Sequence, residues 1–200
     1  MDHYFTNNAN LKSEIRTINF NIANTDIVFF SDNGVFSKEH IDYGSKLLLE
    51  TFLEHKSNYQ NILDVGCGYG FIGITLKKLL DTNVTMIDIN KRALHLAKKN
   101  ADKNKVTVNI IESNIYENVT DKYDVIIINP PVRAGKQVLI DILDNARKYL
   151  KSGGELWYVL RKDHGAKSME KVLSEHYDIT LVEKSKGFYI YCAKSIDTNA

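Results

Sequence analysis

Two hundred residues, 44% hydrophobic and 26% charged, suit one folded domain and exclude a disordered or fibrous chain. Lys and Arg total 26 against 25 Asp and Glu, a net charge of +1, so any nucleic-acid contact needs a local basic patch rather than a bulk polycation. Only Cys67 and Cys192 are present, without Cys/His clustering, which argues against a disulfide scaffold or a metal module, and apolar runs fall far short of the roughly 20 residues of a membrane span.

The first residues are polar and lack the basic-then-apolar order of a signal peptide. Low cysteine use fits a reducing compartment. The expectation is a cytoplasmic monomer with no membrane or metal partner. The polar ends, roughly 1–12 and 195–200, read as loose.

In chain order, Ile15, Ile18, Phe20 and Ile22 alternate with polar residues, with one step out of phase after Ile15. Ala23-Asn24-Thr25-Asp26 reads as a turn into a second strand over 27–30, making a hairpin. Asp42 precedes a helical stretch carrying Leu47, Leu48 and Phe52 on one side. From residue 61 the pattern alternates. Strands are predicted over 62–65, 84–87, 106–111, 125–128 and 156–160. Between them lie helices marked by Ile72, Leu76 and Leu79, by Leu94, Ala97 and Ala101, and by a run from Lys136 to Leu150 that Ser152-Gly153-Gly154 stops. A last helix carries Met169, Val172 and Leu173. Strands over 179–182 and 188–192, joined by Lys184-Ser185-Lys186-Gly187, close the chain as an antiparallel pair. Repeated β-α units imply an α/β fold, a Rossmann-like seven-stranded sheet that is mostly parallel, with a C-terminal antiparallel strand and an N-terminal hairpin extension.

The strongest motif is Leu63-Asp64-Val65-Gly66-Cys67-Gly68-Tyr69-Gly70, between the first core strand and its helix. Ligands of such sheets bind beyond the carboxyl ends of the strands. A dinucleotide fingerprint needs Gly or Ala at position 71, where this chain has Phe71, so a pyrophosphate is disfavoured. Asp64 suits a ligand with a cationic end. Asp88 stands 20 residues after Gly68, where a carboxylate can accept from a ribose diol, and Asn90 is free to cap the next helix. Asn114 and Ile115, after the third strand, border the place of an adenine ring.

The second strong motif is Asn129-Pro130-Pro131. Proline offers a carbonyl and no N–H. Two acceptors, the Asn129 side chain and the Pro130 carbonyl, can hold both hydrogens of a planar NH2 group and free its lone pair for an electrophilic methyl.

On these residues the chain resembles class I S-adenosylmethionine-dependent methyltransferases. DVGCGYG is similar to their glycine motif, MIDIN to the ribose motif and NPP to the amino-methylating motif. More narrowly it resembles the small 16S ribosomal RNA guanine-N2 methyltransferases, through GVFSKEHIDYGSKLLLE, NPPVRAGK, GGELWYV and the early HYFT. The resemblance implies one methyltransferase domain over 1–200, with an extension and cap over 1–58 and a cofactor-binding catalytic core over 59–194. It implies S-adenosylmethionine as cofactor, held by Phe36, Asp42, Asp64, Gly66, Cys67, Gly68, Asp88, Ile89, Asn114, Ile115 and Asn129. It implies Asn129, Pro130 and Pro131 in catalysis, and ribosomal RNA or a ribosomal subunit as partner, met by Val132, Arg133 and Lys136.

Two departures stand out. Many amino-methylating enzymes carry Phe, Tyr or Trp after NPP to stack on the base; here Val132 follows, leaving Arg133, Phe36 or Tyr69 as platforms. Better-known members also carry a degenerate second methyltransferase domain, which is not read in this sequence. Arg133, Lys136, Arg161, Lys162, Lys184 and Lys186 form a candidate phosphate-contacting rim, whereas the six Lys and Arg of 91–105 read as a solvated helix face. No histidine has ligand spacing, Cys67 has no partner base, and Trp157 and Tyr158 read as packing residues. Two alternatives stay open: methylation of adenine N6 or a protein glutamine, and a non-catalytic RNA-binding assembly factor.

Overall fold

A computed structural model describes residues 10–196, arranged as a two-stranded and a seven-stranded sheet with five α-helices. The small sheet is the hairpin β1 (Arg16–Ile22) and β2 (Thr25–Ser31). Its turn is only Ala23-Asn24, both at positive φ, the mirror-image geometry that matches strand twist. Ile15 lies outside β1 and is 52% exposed, which accounts for the out-of-phase step.

The large sheet contains β3 (Asn61–Val65), β4 (Asn83–Asp88), β5 (Asn109–Glu112), β6 (Tyr123–Ile128), β7 (Leu150–Arg161), β8 (Tyr177–Ser185) and β9 (Phe188–Ser195). Their order is β5-β4-β3-β6-β7-β9-β8, and β9 runs antiparallel to both neighbours. Strand order reverses between β3 and β6, so the crevice that binds ligands in such sheets opens there. Adjacent residues Ile62 and Leu63 enter opposite cores, as do Ile126 and Ile127, because side chains alternate across a strand buried on both faces.

Helices α1 (Tyr43–His55), α2 (Phe71–Leu79) and α3 (Lys91–Lys103) contribute to one core, and α4 (Lys136–Asn145) and α5 (Ala166–Leu173) to the other. Helix α3 also holds the hairpin. Asn100 accepts from Phe30 N at 2.7 Å and donates to Phe30 O at 2.9 Å. One turn later Asn104 accepts from Val28 N at 3.0 Å and donates to Val28 O at 2.8 Å. Two helix side chains thus replace the strand that β2 lacks on that edge.

Several predicted boundaries shift. Helix α4 ends at Asn145, a 3-10 turn covers Ala146–Tyr149, and Leu150 already pairs with Tyr123 in β7. Ser152-Gly153-Gly154 therefore sits inside a strand, at a register irregularity, rather than ending a helix. The strand predicted over 106–111 begins only at Asn109, because Val106 N still bonds to Ala101 O as the chain leaves α3. The closing hairpin is longer than expected and turns on Lys186-Gly187. Leu11 and Lys12 are tied down, through Arg92 Nη2 to Leu11 O at 2.6 Å and Asn33 Nδ2 to Lys12 O at 3.0 Å. At the other end Ile196 N bonds to His176 O at 3.0 Å. The HYFT segment lies outside the described residues. Among those residues, no helix is long and apolar enough to cross a membrane.

Candidate active site

Beyond β3, Gly66 N and Cys67 N both donate to Ile87 O at 2.9 Å, folding the loop back over β4. Gly66 and Gly68 have φ of +70° and +56°, and a Cβ on either would meet nothing within 4 Å. Left-handed backbone and open space both call for glycine here: a ligand can approach the bare main chain. Cys67 is buried, and burial, then Asp88 and Asp64, push its thiol well above the ordinary value. It is a small packing residue rather than a thiolate nucleophile.

Asp64 is buried, and its Oδ2 accepts from Gly73 N at 2.9 Å. Burial, reinforced by Asp88, pushes its carboxyl up to about 7 against the opposing Gly73 bond. Asp88 accepts from Gly68 N and Asn90 N, both at 2.8 Å, one on each oxygen. Burial raises its pKa while those amides and that of Ile89 oppose the rise. Two carboxylates thus share one wall without a cationic side chain between them, an arrangement that favours a cationic ligand group. Asn90 accepts from Arg92 N and Ala93 N and caps α3, which leaves Asp88 free of that task.

After β5, Ser113 Oγ donates to Ile115 O at 2.8 Å and accepts from Asn118 N at 3.0 Å. These bonds hold Ile115 at φ +54°, an unusual conformation for a β-branched residue. Exposed Asn114 and half-buried Ile115 both line the cavity.

After β6, Pro131 closes a tight turn in which Val132 N donates to Pro130 O at 2.9 Å. One lone pair of that carbonyl is therefore used, and the other remains. The Asn129 amide nitrogen donates to Ser45 Oγ at 2.8 Å and to Asp42 Oδ2 at 3.1 Å. A carboxylate only accepts, so the amide nitrogen must face α1, and Asn129 Oδ1 is left for a donor. Asp42 also caps α1, accepting from Ser45 N at 2.8 Å.

These walls enclose a cavity of about 550 Å³. The predicted residues Phe36, Asp42, Asp64, Gly66, Cys67, Gly68, Asp88, Ile89, Asn114, Ile115, Asn129, Pro130, Pro131, Val132 and Arg133 all line it. Lys136 does not; it lines an adjoining groove with Arg133, His164 and Ser168. Of the predicted rim, Arg161 lines the cavity, whereas Lys184 and Lys186 lie over the Tyr189 and Tyr43 rings. Tyr69 is only 4% exposed and Phe71 6%, against Phe29 and Phe20, so the glycine loop's rings serve mainly the core. Ser45 and Phe188 also line the cavity and were not singled out from sequence. Ser45 stands three residues after the helix cap, a visible capping position, but its contact with Asn129 spans 84 residues.

Comparison with known proteins agrees with this architecture. The methyltransferase small domain family matches residues 26–192. The Bacillus subtilis protein YbxB, itself uncharacterized, is 42% identical over 200 residues, covering 98% of this chain and 99% of that one. Ribosomal RNA small subunit methyltransferase C of Haemophilus ducreyi is 32% identical over 175 residues, covering 84% of this chain and 52% of that protein. The chain thus spans about half the length of the ribosomal RNA methyltransferases it matches. In fold it is similar to the T. thermophilus 16S rRNA N2 G1207 methyltransferase, solved with AdoMet and guanosine, with a TM-score of 0.82, 22% identity, and coverage of 92% of this chain and 52% of that one. The chain belongs to the methyltransferase small domain family and has the class I S-adenosylmethionine-dependent methyltransferase fold.

Proposed function

We propose that this protein transfers a methyl group from S-adenosylmethionine to the exocyclic N2 amine of a guanine in ribosomal RNA, in the 16S molecule. The observation that carries the reading is the fixed amide of Asn129, whose oxygen is left for a donor while Ser45 and Asp42 hold its nitrogen. The residues present fit the cofactor: a bare glycine turn, a buried carboxylate at Asp64 and a second at Asp88. Bound S-adenosylmethionine supplies an electrophilic methyl on a sulfonium. Asp64 and Asp42 would favour its cationic end, Asp88 would accept from its ribose, Asn114 would meet its adenine, and Phe36, Ile89 and Ile115 would pack on it.

Asn129 Oδ1 and the remaining lone pair of Pro130 O accept the two hydrogens of the target amine. This positions the nitrogen and favours its pyramidal, nucleophilic form, with no covalent enzyme intermediate; as the N–C bond formed, the donor's methyl–sulfur bond would break to leave S-adenosylhomocysteine, and the proton shed by the amine would pass to water. Arg133 beside the cavity and Lys136 in the adjoining groove meet the RNA backbone. The choice of guanine N2 and of 16S RNA draws on the named activities of the relatives; the planar NH2 acceptor draws on the residues of this chain.

The test is transfer from methyl-labelled cofactor to small subunits, large subunits, tRNA and protein from cells lacking the gene. Label in N2-methylguanosine from 16S RNA supports the reading. Label in adenosine or in protein keeps the chemistry and replaces the substrate. Cofactor binding without transfer supports an assembly factor instead.

A further inference from the structure

We propose that Phe188, with the Arg161 guanidinium lying against it, is the platform on which the acceptor base stacks; this rests on the nucleobase reading above. The loop after β6 supplies no ring, because Val132 is aliphatic. Yet a purine delivered to Asn129 needs a flat apolar surface once it leaves its stack. Four phenylalanine or tyrosine rings line the cavity: Phe36, Tyr69, Phe71 and Phe188. Tyr69 and Phe71 are buried against Phe29 and Phe20. Phe36 belongs to the cap on the cofactor side: Gly34 O accepts from Asn90 Nδ2 at 2.9 Å, two residues after Asp88, and Tyr69 of the glycine turn reaches Ser37 O.

Phe188 stands on the other side, with Asn129. It is the first residue of β9 and pairs with Arg161 at the end of β7, next to the strand that carries Asn129. Its ring lies against Tyr43, centroids 5.4 Å apart, and directly on the backbone of α1 at Gly44. A Cβ on Gly44 would come within 2.8 Å of Phe188 Cε1, so glycine there admits the ring. Tyr43 and Gly44 lie between Asp42 and Ser45, so one helical turn seats both the ring and the catalytic amide. The Arg161 guanidinium carbon is 5.2 Å from the ring centroid. Asp163 accepts two bonds from that guanidinium, at 2.8 and 2.9 Å, on the exposed rim. Ring and guanidinium together border the Asn129 side of the cavity, and aromatic rings and Arg guanidinium planes are the surfaces on which unpaired bases stack.

The test uses 2-aminopurine riboside, a purine with its amine on C2 whose fluorescence is quenched by stacking. It is titrated with S-adenosylhomocysteine present into wild type, Phe188→Leu and Phe188→Tyr, and S-adenosylhomocysteine affinity is measured for each. Steady-state methylation of small subunits gives KM and kcat. Quenching by wild type and Phe188→Tyr but not Phe188→Leu is expected, with equal S-adenosylhomocysteine affinities. Loss of one stacking contact lowers kcat/KM of Phe188→Leu by about 5- to 140-fold, mainly through KM. Absence of quenching in wild type, undiminished quenching in Phe188→Leu, or a parallel fall in its S-adenosylhomocysteine affinity would overturn the platform. Quenching that depends on Phe188, with no wild-type transfer to any RNA, would retain the platform and reject the RNA substrate. Transfer to RNA that is indifferent to Phe188 would do the reverse.

Discussion

Asn129 Nδ2 lies 2.8 Å from Ser45 Oγ, and this bond joins the loop after β6 to the first turn of α1. Without it and the Asp42 bond, the amide could turn its nitrogen toward the substrate amine, presenting a donor to a donor. Ser45→Ala removes one of the two restraints. It is expected to lower kcat by about 2- to 12-fold, the loss of one hydrogen bond, while cofactor affinity stays constant. Asn129→Ala removes the acceptor itself and is expected to cost at least about a hundredfold in kcat. Single-turnover rates and calorimetry with S-adenosylhomocysteine separate these effects; a Ser45→Ala enzyme with weakened cofactor binding would place Ser45 in the wrong role.

Asp64 gives the site a pH dependence. Its folded pKa, pushed up to about 7, exceeds the ordinary value of 3.8. Between those values the folded protein holds a proton that the unfolded chain has released. Ligand-free stability from this group therefore declines as pH rises from about 4 to about 7. A cationic ligand end needs the ionised form, so cofactor affinity rises with pH up to about 7, by at most about tenfold per unit, and levels off above. Calorimetric titration with S-adenosylhomocysteine between about pH 5.5 and 8.5 is expected to show this slope in wild type, and a flat profile would contradict it. In Asp64→Asn the slope from this group disappears.

Asp88 has two duties that one substitution separates from Asp64's. It accepts from Gly68 N and Asn90 N, and in the proposed function it also binds the ribose. Asp88→Ala is expected to weaken cofactor binding by about 1–3 kcal/mol and also to lower the unfolding midpoint of the ligand-free protein, because two loop amides lose their acceptor. Differential scanning calorimetry and cofactor titration give the two numbers. Weaker binding with an unchanged midpoint would mean that the loop amides find other acceptors.

Most of the architecture was legible because it is written in short-range periodicity: 62–65 and 125–128 read as strands, and the motifs after them fall on loops at the sheet's switch point. The Asn90 cap and the freedom of Asp88 from that duty were also legible, since capping is local. What escaped depends on distance in the chain. Ser45 meets Asn129 and Phe188 meets Gly44 only after the sheet has formed. Residues 146–149 look helical in isolation, yet pairing of Leu150 with Tyr123 ends α4 early. Asn100 and Asn104 pair with β2 across 70 and 76 residues, contacts with no local signature.

Those asparagines carry a stability prediction. Asn100 bonds to Phe30 N, Phe30 O and, at 2.8 Å, to Tyr69 O, linking the hairpin to the glycine loop. Asn100→Ala leaves one buried and two part-buried backbone groups without that partner and is expected to cost about 2–4 kcal/mol, at 1–3 kcal/mol for each group left unsatisfied with partial relaxation. Urea unfolding checks the magnitude. Hydrogen exchange should show faster opening of β2 than of β3.

The proposed methylation of a guanine N2 in 16S RNA runs through Asn129. Nucleoside mass spectrometry of 16S RNA, isolated from cells with the gene, without it, and with Asn129→Ala in its place, tests it most directly. One N2-methylguanosine is expected in the first and is expected to be missing from the other two. An unchanged N2-methylguanosine content in all three would contradict it.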